Sequence, residues 1–268
     1  MNTHIIACIF ILFSSFTTLS QPYNSTDSKG LKQGYWEKST PDGKPIYKGE
    51  FKNDKPVGNW KRYHQNGTLR AQLNYYENTD SCQVVLFNNS GKKIAEGIYI
   101  NEKREGKWTF FRNMIKISEE YYVSGEKTGL SRSFYDTGEL MSESNYQKGI
   151  PNGTYRTYLK NGTIYFECLM KEGMRNGYCQ SFFQNGTVES VGYYENDLRE
   201  RDWQYYHEDG SKAYELHYKG GMVTNTAVRD SVDNARMKNM EKNNKQHTDP
   251  EKFMDDPSGY MQLMTTNP

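Results

Sequence analysis

Apolar and polar positions along this chain follow a pattern that recurs every 24 residues. The unit is clearest at GTYRTYLKN, Gly153 to Asn161, where a glycine is followed by an aromatic two positions on, a second aromatic three beyond that, and then a turn dipeptide. Relatives open at Gly34 (GYWEKSTPDG), Gly58 (GNWKRYHQNG), Gly106 (GKWTFFRN), Gly129 (GLSRSFYDTG) and Gly177 (GYCQSFFQNG). Counted in register, equivalent positions fall at Gly34, Gly58, Cys82, Gly106, Gly129, Gly153, Gly177 and Arg201, every step being 24 residues except the fourth, which is 23. The missing residue lies between Asn113 and Tyr122, in the repeat that also lacks the turn glycine. A fixed period of this length predicts a repeat architecture in which each unit buries surface against its neighbours.

Within a repeat, the first apolar position holds Trp36, Trp60, Val84, Trp108, Ser131, Tyr155, Cys179 and Trp203. The second holds Tyr63, Phe87, Phe111, Phe134, Tyr158, Phe182 and Tyr206, with Ser39 in the first repeat. Residues three apart on a strand point to opposite faces, so both sides of a sheet would carry rings. Turn dipeptides such as Asn66-Gly67, Asn161-Gly162 and Asp209-Gly210 then predict hairpins, because they accept the positive φ of tight turns. A second strand with period-two alternation follows, clearest in Leu69, Ala71, Leu73 and Tyr75. Polar connectors, among them Gln147 to Asn152 and Lys171 to Asn176, lead to the next glycine, and Pro56 and Pro151 fall in connectors where no ladder donor is lost.

The predicted fold is all-β: an elongated antiparallel β-meander or solenoid of about eight 24-residue hairpin repeats over 34–224. Residues 225–268 lose the pattern; a weak helix is expected over about 226–243 and disorder beyond it, with a helix capping the sheet edge as the alternative. Residues 5 to 19 form a short uncharged apolar run ahead of Ser20, Gln21 and Pro22, which predicts a signal peptide over 1–20 with cleavage near Ser20 and a polar linker over 21–33. The alternative, a membrane anchor, needs about 20 apolar residues. The expected location is exported: periplasmic, cell-surface or secreted.

Composition changes this picture in two ways. The apolar fraction is 35% with a mean hydropathy of −0.95, low enough to suggest disorder, yet aromatics reach 14% with 22 Tyr. The core must therefore be built from rings. The 34 basic and 33 acidic residues leave a formal charge of +1, which gives no field to draw nucleic acid or an anionic membrane.

With Gly-x-Trp/Tyr, the following aromatic, the Asn/Asp-Gly turn and a period near 24, the units at Gly34 to about Met222 resemble MORN-repeat variants. The resemblance implies an antiparallel β-meander used as an interaction scaffold. Some eukaryotic members are connected with membranes, and bacterial ones often carry a provisional antitoxin label, which sits badly with export. Departures stand at Cys82 and Val84, at the missing turn glycine of the fourth repeat, and at Arg201.

Candidate chemistry is sparse. His64 and His207 occupy one repeat position and read as surface substitutions; neither a nucleophile elbow nor a metalloprotease or phosphate-loop motif occurs in the sequence. Neither catalytic residues, metal ligands nor a cofactor are expected, and the chain is expected not to be an enzyme. Cys168 and Cys179 flank a connector symmetrically and would face each other across a tight hairpin, so they are candidates for a disulfide, with two half-buried thiols as the alternative. The Asn-x-Ser/Thr sequons, such as Asn66-Gly-Thr and Asn185-Gly-Thr, follow from turn and strand preferences.

The leading functional expectation is a non-enzymatic exported scaffold that binds a protein or an envelope polymer through an extended aromatic sheet surface. Its candidate residues are the second-position rings Tyr63, Phe87, Phe111, Phe134, Tyr158, Phe182 and Tyr206. A glycan-binding module is the first alternative. Membrane-surface association, suggested only by the resemblance, is the second.

Overall fold

The computed structural model describes residues 23–77 and 79–244. The signal-peptide expectation for 1–20 and the expected disorder after the helix therefore lie outside the described residues. The chain divides after Met114 into two units. The N-terminal unit holds β1 Ser25–Thr26, β2 Lys32–Ser39, β3 Pro45–Lys52, β4 Lys55–Tyr63, β5 Leu69–Tyr75, β6 Ser81–Phe87, β7 Lys93–Ile100 and β8 Lys103–Arg112. The C-terminal unit holds β9 Ile115–Val123, β10 Glu126–Lys127, β11 Gly129–Phe134, β12 Leu140–Gln147, β13 Ile150–Tyr158, β14 Ile164–Lys171, β15 Met174–Phe182, β16 Val188–Glu195, β17 Leu198–Tyr206, β18 Lys212–Lys219, β19 Met222–Val223 and α1 Thr226–Asn244. In each unit, the strands pair antiparallel with their chain neighbours, as a meander of two long strands per repeat. The segment expected as a linker is partly ordered: Ser25 and Thr26 pair with β2, which begins at Lys32.

Two kinds of turn alternate, and they exchange the roles that the turn dipeptides suggest. The Asp-Gly and Asn-Gly loops span three residues, as at Gln65, Asn66 and Gly67, where His64 N donates to Thr68 O at 2.8 Å and Gly67 N to His64 O at 2.9 Å. Only the glycine of such a loop takes a positive φ, +85° at Gly67, while the Asn66 side chain accepts from Thr68 N at 3.1 Å. The connectors are the tight two-residue hairpins. Asn53-Asp54, Asn101-Glu102 and Asn196-Asp197 place both residues at positive φ, the geometry whose twist matches flanking strands. The 23-residue repeat is explained by the same device, since Asn113 and Met114 make a two-residue turn where other repeats have three.

The connectors are therefore shorter than the six-residue segments expected, and Pro56 and Pro151 lie inside β4 and β13. No ladder bond is lost there. At the equivalent position Lys32 and Arg175 send their amides to the side chains of Asp54 and Asp197, at 2.9 and 3.0 Å, and only the carbonyl enters the ladder. Pro151 keeps that carbonyl role, accepting from Gly173 N at 2.9 Å.

Residues paired directly across strands share a face, so the register divides each unit into an inner, ring-packed face and an outer, charged one. The inner face is sealed by a device repeated three times. Trp60, Trp108 and Trp203 lie flat over Gly49, Gly97 and Gly192, each glycine eleven residues earlier, and a Cβ added at any of them would enter the indole. Each indole Nε1–H then donates to the carbonyl after that glycine: Glu50 at 3.0 Å, Ile98 at 3.1 Å, Tyr193 at 3.2 Å. Trp108 is 0% exposed. The lead glycine makes this possible: Gly58 (φ +60°) and Gly106 (φ +64°) allow the strand to bulge and carry the indole across. Arg201 holds the same conformation, φ +63°, without being glycine.

At the C-terminal edge, Thr224 N bonds His217 O at 2.8 Å, and the Asn225 side chain pairs with His217 N and Glu215 O, both at 2.9 Å. Asn225 thus completes the ladder of β18 before α1 begins, and it is this residue, rather than the helix body, that closes the edge. α1 is almost wholly exposed; Arg236 reaches the Tyr214 hydroxyl at 3.3 Å.

Candidate functional site

The seven second-position rings stand on the outer face, each half-buried. Four of them are dressed rather than bare. Lys93 lies 4.2 Å over Phe111, and Lys116 4.0 Å over Phe134, each also paired with a glutamate, Glu96 or Glu119. The Tyr158 hydroxyl donates to Glu143 at 2.8 Å, and Tyr206 donates to Gln204 at 2.5 Å. In the C-terminal unit a charge ladder runs beside the rings. Arg132, Glu143, Arg156 and Glu167 pair directly on successive strands, with Glu143 at 3.6 Å from Arg132 and 3.4 Å from Arg156, and Arg156 bonded to Glu167. Burial works against the Glu143 carboxylate, but the Tyr158 and Arg156 hydrogen bonds and the Arg132 charge together hold it below the ordinary glutamate value.

More exposed apolar groups sit on the same face. Tyr178 is 60% exposed and packs edge-on to Tyr193 at 5.3 Å, with Arg201 3.8 Å over the Tyr193 ring and Leu169 close by across the Gly177 backbone. Tyr178 and Leu169 were legible only as the odd members of their strands' alternation. Asp202, Glu215 and His217 bring possible ligand atoms within 4.8 Å of one another on this face, although Lys212 already neutralises Glu215 at 2.5 Å. Of the two histidines singled out in the sequence, His64 hydrogen-bonds the Phe87 carbonyl at 3.0 Å, a contact between neighbouring turns.

The inner face carries a second periodic feature. Two positions before the lead glycine a cation lies over rings: Lys32 at 4.7 Å from Phe51, Arg104 at 4.9 Å from Trp108, Lys127 at 4.0 Å from Tyr146, Arg175 at 4.1 Å from Tyr194, and Arg199 at 4.5 Å from Trp203. Arg199 also meets the Tyr218 hydroxyl at 3.0 Å. The signal was present in the sequence as a basic residue at one repeat position and is explained by cation–π attraction.

Cys168 and Cys179 occupy the eleven-residue step that Gly and Trp hold elsewhere. They are paired directly across β14 and β15, both buried, with Cα atoms 4.1 Å apart and joined as a disulfide in the structure. Tyr194 and Trp203 complete that cluster, with Phe166, Tyr205 and Tyr218 against it.

Where the sequence departs from its pattern, the inner face opens. Cys82 replaces the lead glycine, so β5 and β6 pair without the bulge found at other repeat junctions, and Leu73 faces Val84 where glycine faces tryptophan elsewhere. The result is a cavity of about 470 Å³. Its floor is Ala71, Leu73, Val84 and Leu86, and Tyr75 and Tyr99 flank Cys82. Arg62 and Arg70 enter from the loop end; Lys55, Asp80 and Glu102 stand at the connector end. Burial pushes the Tyr75 hydroxyl and the Cys82 thiol up, with the Arg62 charge acting in the opposite direction on both.

Four stretches, residues 56–78, 127–148, 175–196 and 202–219, match the MORN repeat variant. Those four stretches are therefore MORN-variant repeats by their match, and three of them open two positions before the lead glycine or its equivalent, at Pro56, Lys127 and Arg175. No curated protein is similar enough to this chain to count as a match. Among solved structures, it is similar to the crystal structure of TarM, at 16% identity over 43% of this chain and 20% of that one, TM-score 0.17. It is also similar to a mutant of S. aureus TarM in complex with fondaparinux, alpha-GlcNAc-glycerol and UDP, at 13% identity over 51% of this chain and 21% of that one, TM-score 0.18. The chain spans about a fifth of the length of those structures, and a likeness so slight carries nothing over to it.

Proposed function

We propose that this chain is an exported, non-enzymatic scaffold that binds an extended protein partner along the outer face of its sheet. The observation that supports this is the outer row of Phe134, Tyr158, Phe182 and Tyr206 beside the alternating ladder Arg132, Glu143, Arg156 and Glu167. Two strands per repeat set successive rings about 10 Å apart, so the row offers a periodic apolar and polar register. Alternating signs suit a polypeptide of mixed charge better than an anionic lipid surface. The exposed Leu169 and Tyr178, with Tyr193 half-buried beside them, continue the row, and tyrosine is a residue type enriched at interface centres.

Site-specific photo-crosslinking from the envelope fraction tests this reading. A photoreactive residue at Tyr178 should give a discrete adduct with one protein, absent when the probe is moved to Met240 on α1. Identical adducts from both positions, or an adduct only with polysaccharide, would remove the protein-scaffold reading. Export has its own readout: the N-terminus of the mature chain should lie near Gln21, and a cytoplasmic chain retaining Met1 would contradict it.

A further inference from the structure

The inner-face cation ladder has a break that coincides with the cavity. In four repeats a basic residue covers the ring nineteen positions later: Lys32 on Phe51, Lys127 on Tyr146, Arg175 on Tyr194, and Arg199 on Tyr218. In the sixth repeat, Pro151 and Met170 hold those two places, so cation and ring are lost together. At Tyr75 and Tyr99 the rings are kept while Pro56 and Asp80 replace the cations. Both rings line the cavity of about 470 Å³, a size that takes a small organic molecule.

The polar groups of the cavity are segregated. Asp80 and Glu102 stand at the connector end, where the covering cation sits in other repeats; among the described residues the Asp80 carboxylate pairs with Lys55 alone, in an exposed contact at 3.4 Å. Arg70 stands at the opposite end; Arg62 is rooted there too but reaches along the floor to hydrogen-bond Tyr75, and among the described residues neither arginine forms an ion pair. Between the two ends the floor is apolar. We infer that the cavity binds a small zwitterion, an amino-carboxylate whose ammonium takes the missing covering place on Tyr99 beside Asp80 and Glu102, and whose carboxylate meets Arg62 and Arg70. A guanidinium pair is the donor set suited to a carboxylate, and a ring flanked by acids is the set suited to an ammonium. This site is built on the inner face of the N-terminal unit and shares no residue with the proposed partner row, so it stands independently of it.

Isothermal titration of the full chain with ε-aminocaproate, hexylamine and caproate tests the assignment. The zwitterion should bind at least about tenfold more tightly than either single-charge analogue, each lost charge-assisted contact being worth roughly that factor. Arg70→Ala should remove the advantage over hexylamine and Asp80→Asn the advantage over caproate. The double replacement Leu73→Gly with Val84→Trp, which rebuilds the Gly–Trp pair, should fill the cavity and abolish binding. Equal binding of all three probes, no binding of any, or unchanged affinity in the two single variants would overturn the inference; those variants change exposed rim positions, so they keep the test decisive if the double variant fails to fold.

Discussion

Replacing Gly97 by alanine puts a methyl where Trp108 already lies. The added Cβ would stand 2.5 Å from Cδ2 and Cε2 of an indole that is 0% exposed, against ordinary contacts beyond about 3.4 Å. The indole cannot yield without breaking its 3.1 Å bond to Ile98 O or its packing on Tyr99, whose ring centre is 5.0 Å away. Overpacking of this kind costs about 1–3 kcal/mol, and the loss of glycine's unfolded freedom returns about 0.4–1 kcal/mol, for a net destabilisation of about 1 kcal/mol. Urea unfolding followed by circular dichroism measures it as a fall in midpoint at unchanged slope. The cause is isolated by repeating Gly97→Ala in a Trp108→Leu background, where the cost should vanish, giving a coupling of about 1–3 kcal/mol. Gly91→Ala is the contrast: nothing lies within 4 Å of its added Cβ and φ is +74°, so its cost comes from backbone conformation and should be the same in both backgrounds. If Gly97→Ala were as stable as the parent, or equally costly without the indole, the Gly–Trp account of the inner face would be wrong.

Other expectations follow from the same geometry. The mature oxidised chain should show by mass spectrometry one disulfide, Cys168–Cys179, and one buried thiol at Cys82; reduction should cost about 2–3 kcal/mol for so short a loop, and three alkylatable thiols would refute it. Glu143 titrates below its ordinary value of 4.5, so it adds stability at neutral pH that is lost as pH falls through its lowered folded value. Glu143→Gln should therefore flatten the loss of stability below about pH 4.5, and an unchanged acid limb would count against the ladder. Met114→Gly should stabilise by up to about 1 kcal/mol, since Met114 is 77% exposed at φ +68°. Asp197→Gly should not, because Asp197 also holds Arg175 N at 3.0 Å and Nε at 2.8 Å; thermal unfolding of the pair separates the two outcomes.

The repeat, its register and the two-strand unit were legible because glycine, rings and turn dipeptides each recur at fixed offsets. The hairpins at the connectors were harder to see, since Asn53-Asp54, Asn101-Glu102 and Asn196-Asp197 adopt positive φ without a glycine to announce it. The inner-face glycines were hidden for a different reason. Gly49, Gly97 and Gly192 sit in the alternating strand as apparent defects, and their purpose appears only when the tryptophan eleven residues on is laid over them. Conversely, Cys82 and Val84 were visible as departures, yet their consequence, an opened cavity, needs the loss of a bulge and of two covering cations at once. The outer rings were found by spacing alone. That Lys93 and Lys116 would cover Phe111 and Phe134 depends on cross-strand register, which a single repeat does not disclose.

The division of labour between the faces is tested most directly by one paired measurement on the outer row. In a variant carrying Tyr158→Thr, Tyr178→Thr and Phe182→Thr, the affinity for the protein crosslinked at Tyr178 should fall at least about a hundredfold, as expected for lost aromatic anchors. The urea midpoint should move far less than in Trp203→Leu, which strikes the inner face. Retained affinity in the outer variant, or an unfolding midpoint that falls as far as that of the inner one, would contradict the assignment of packing to one face and recognition to the other.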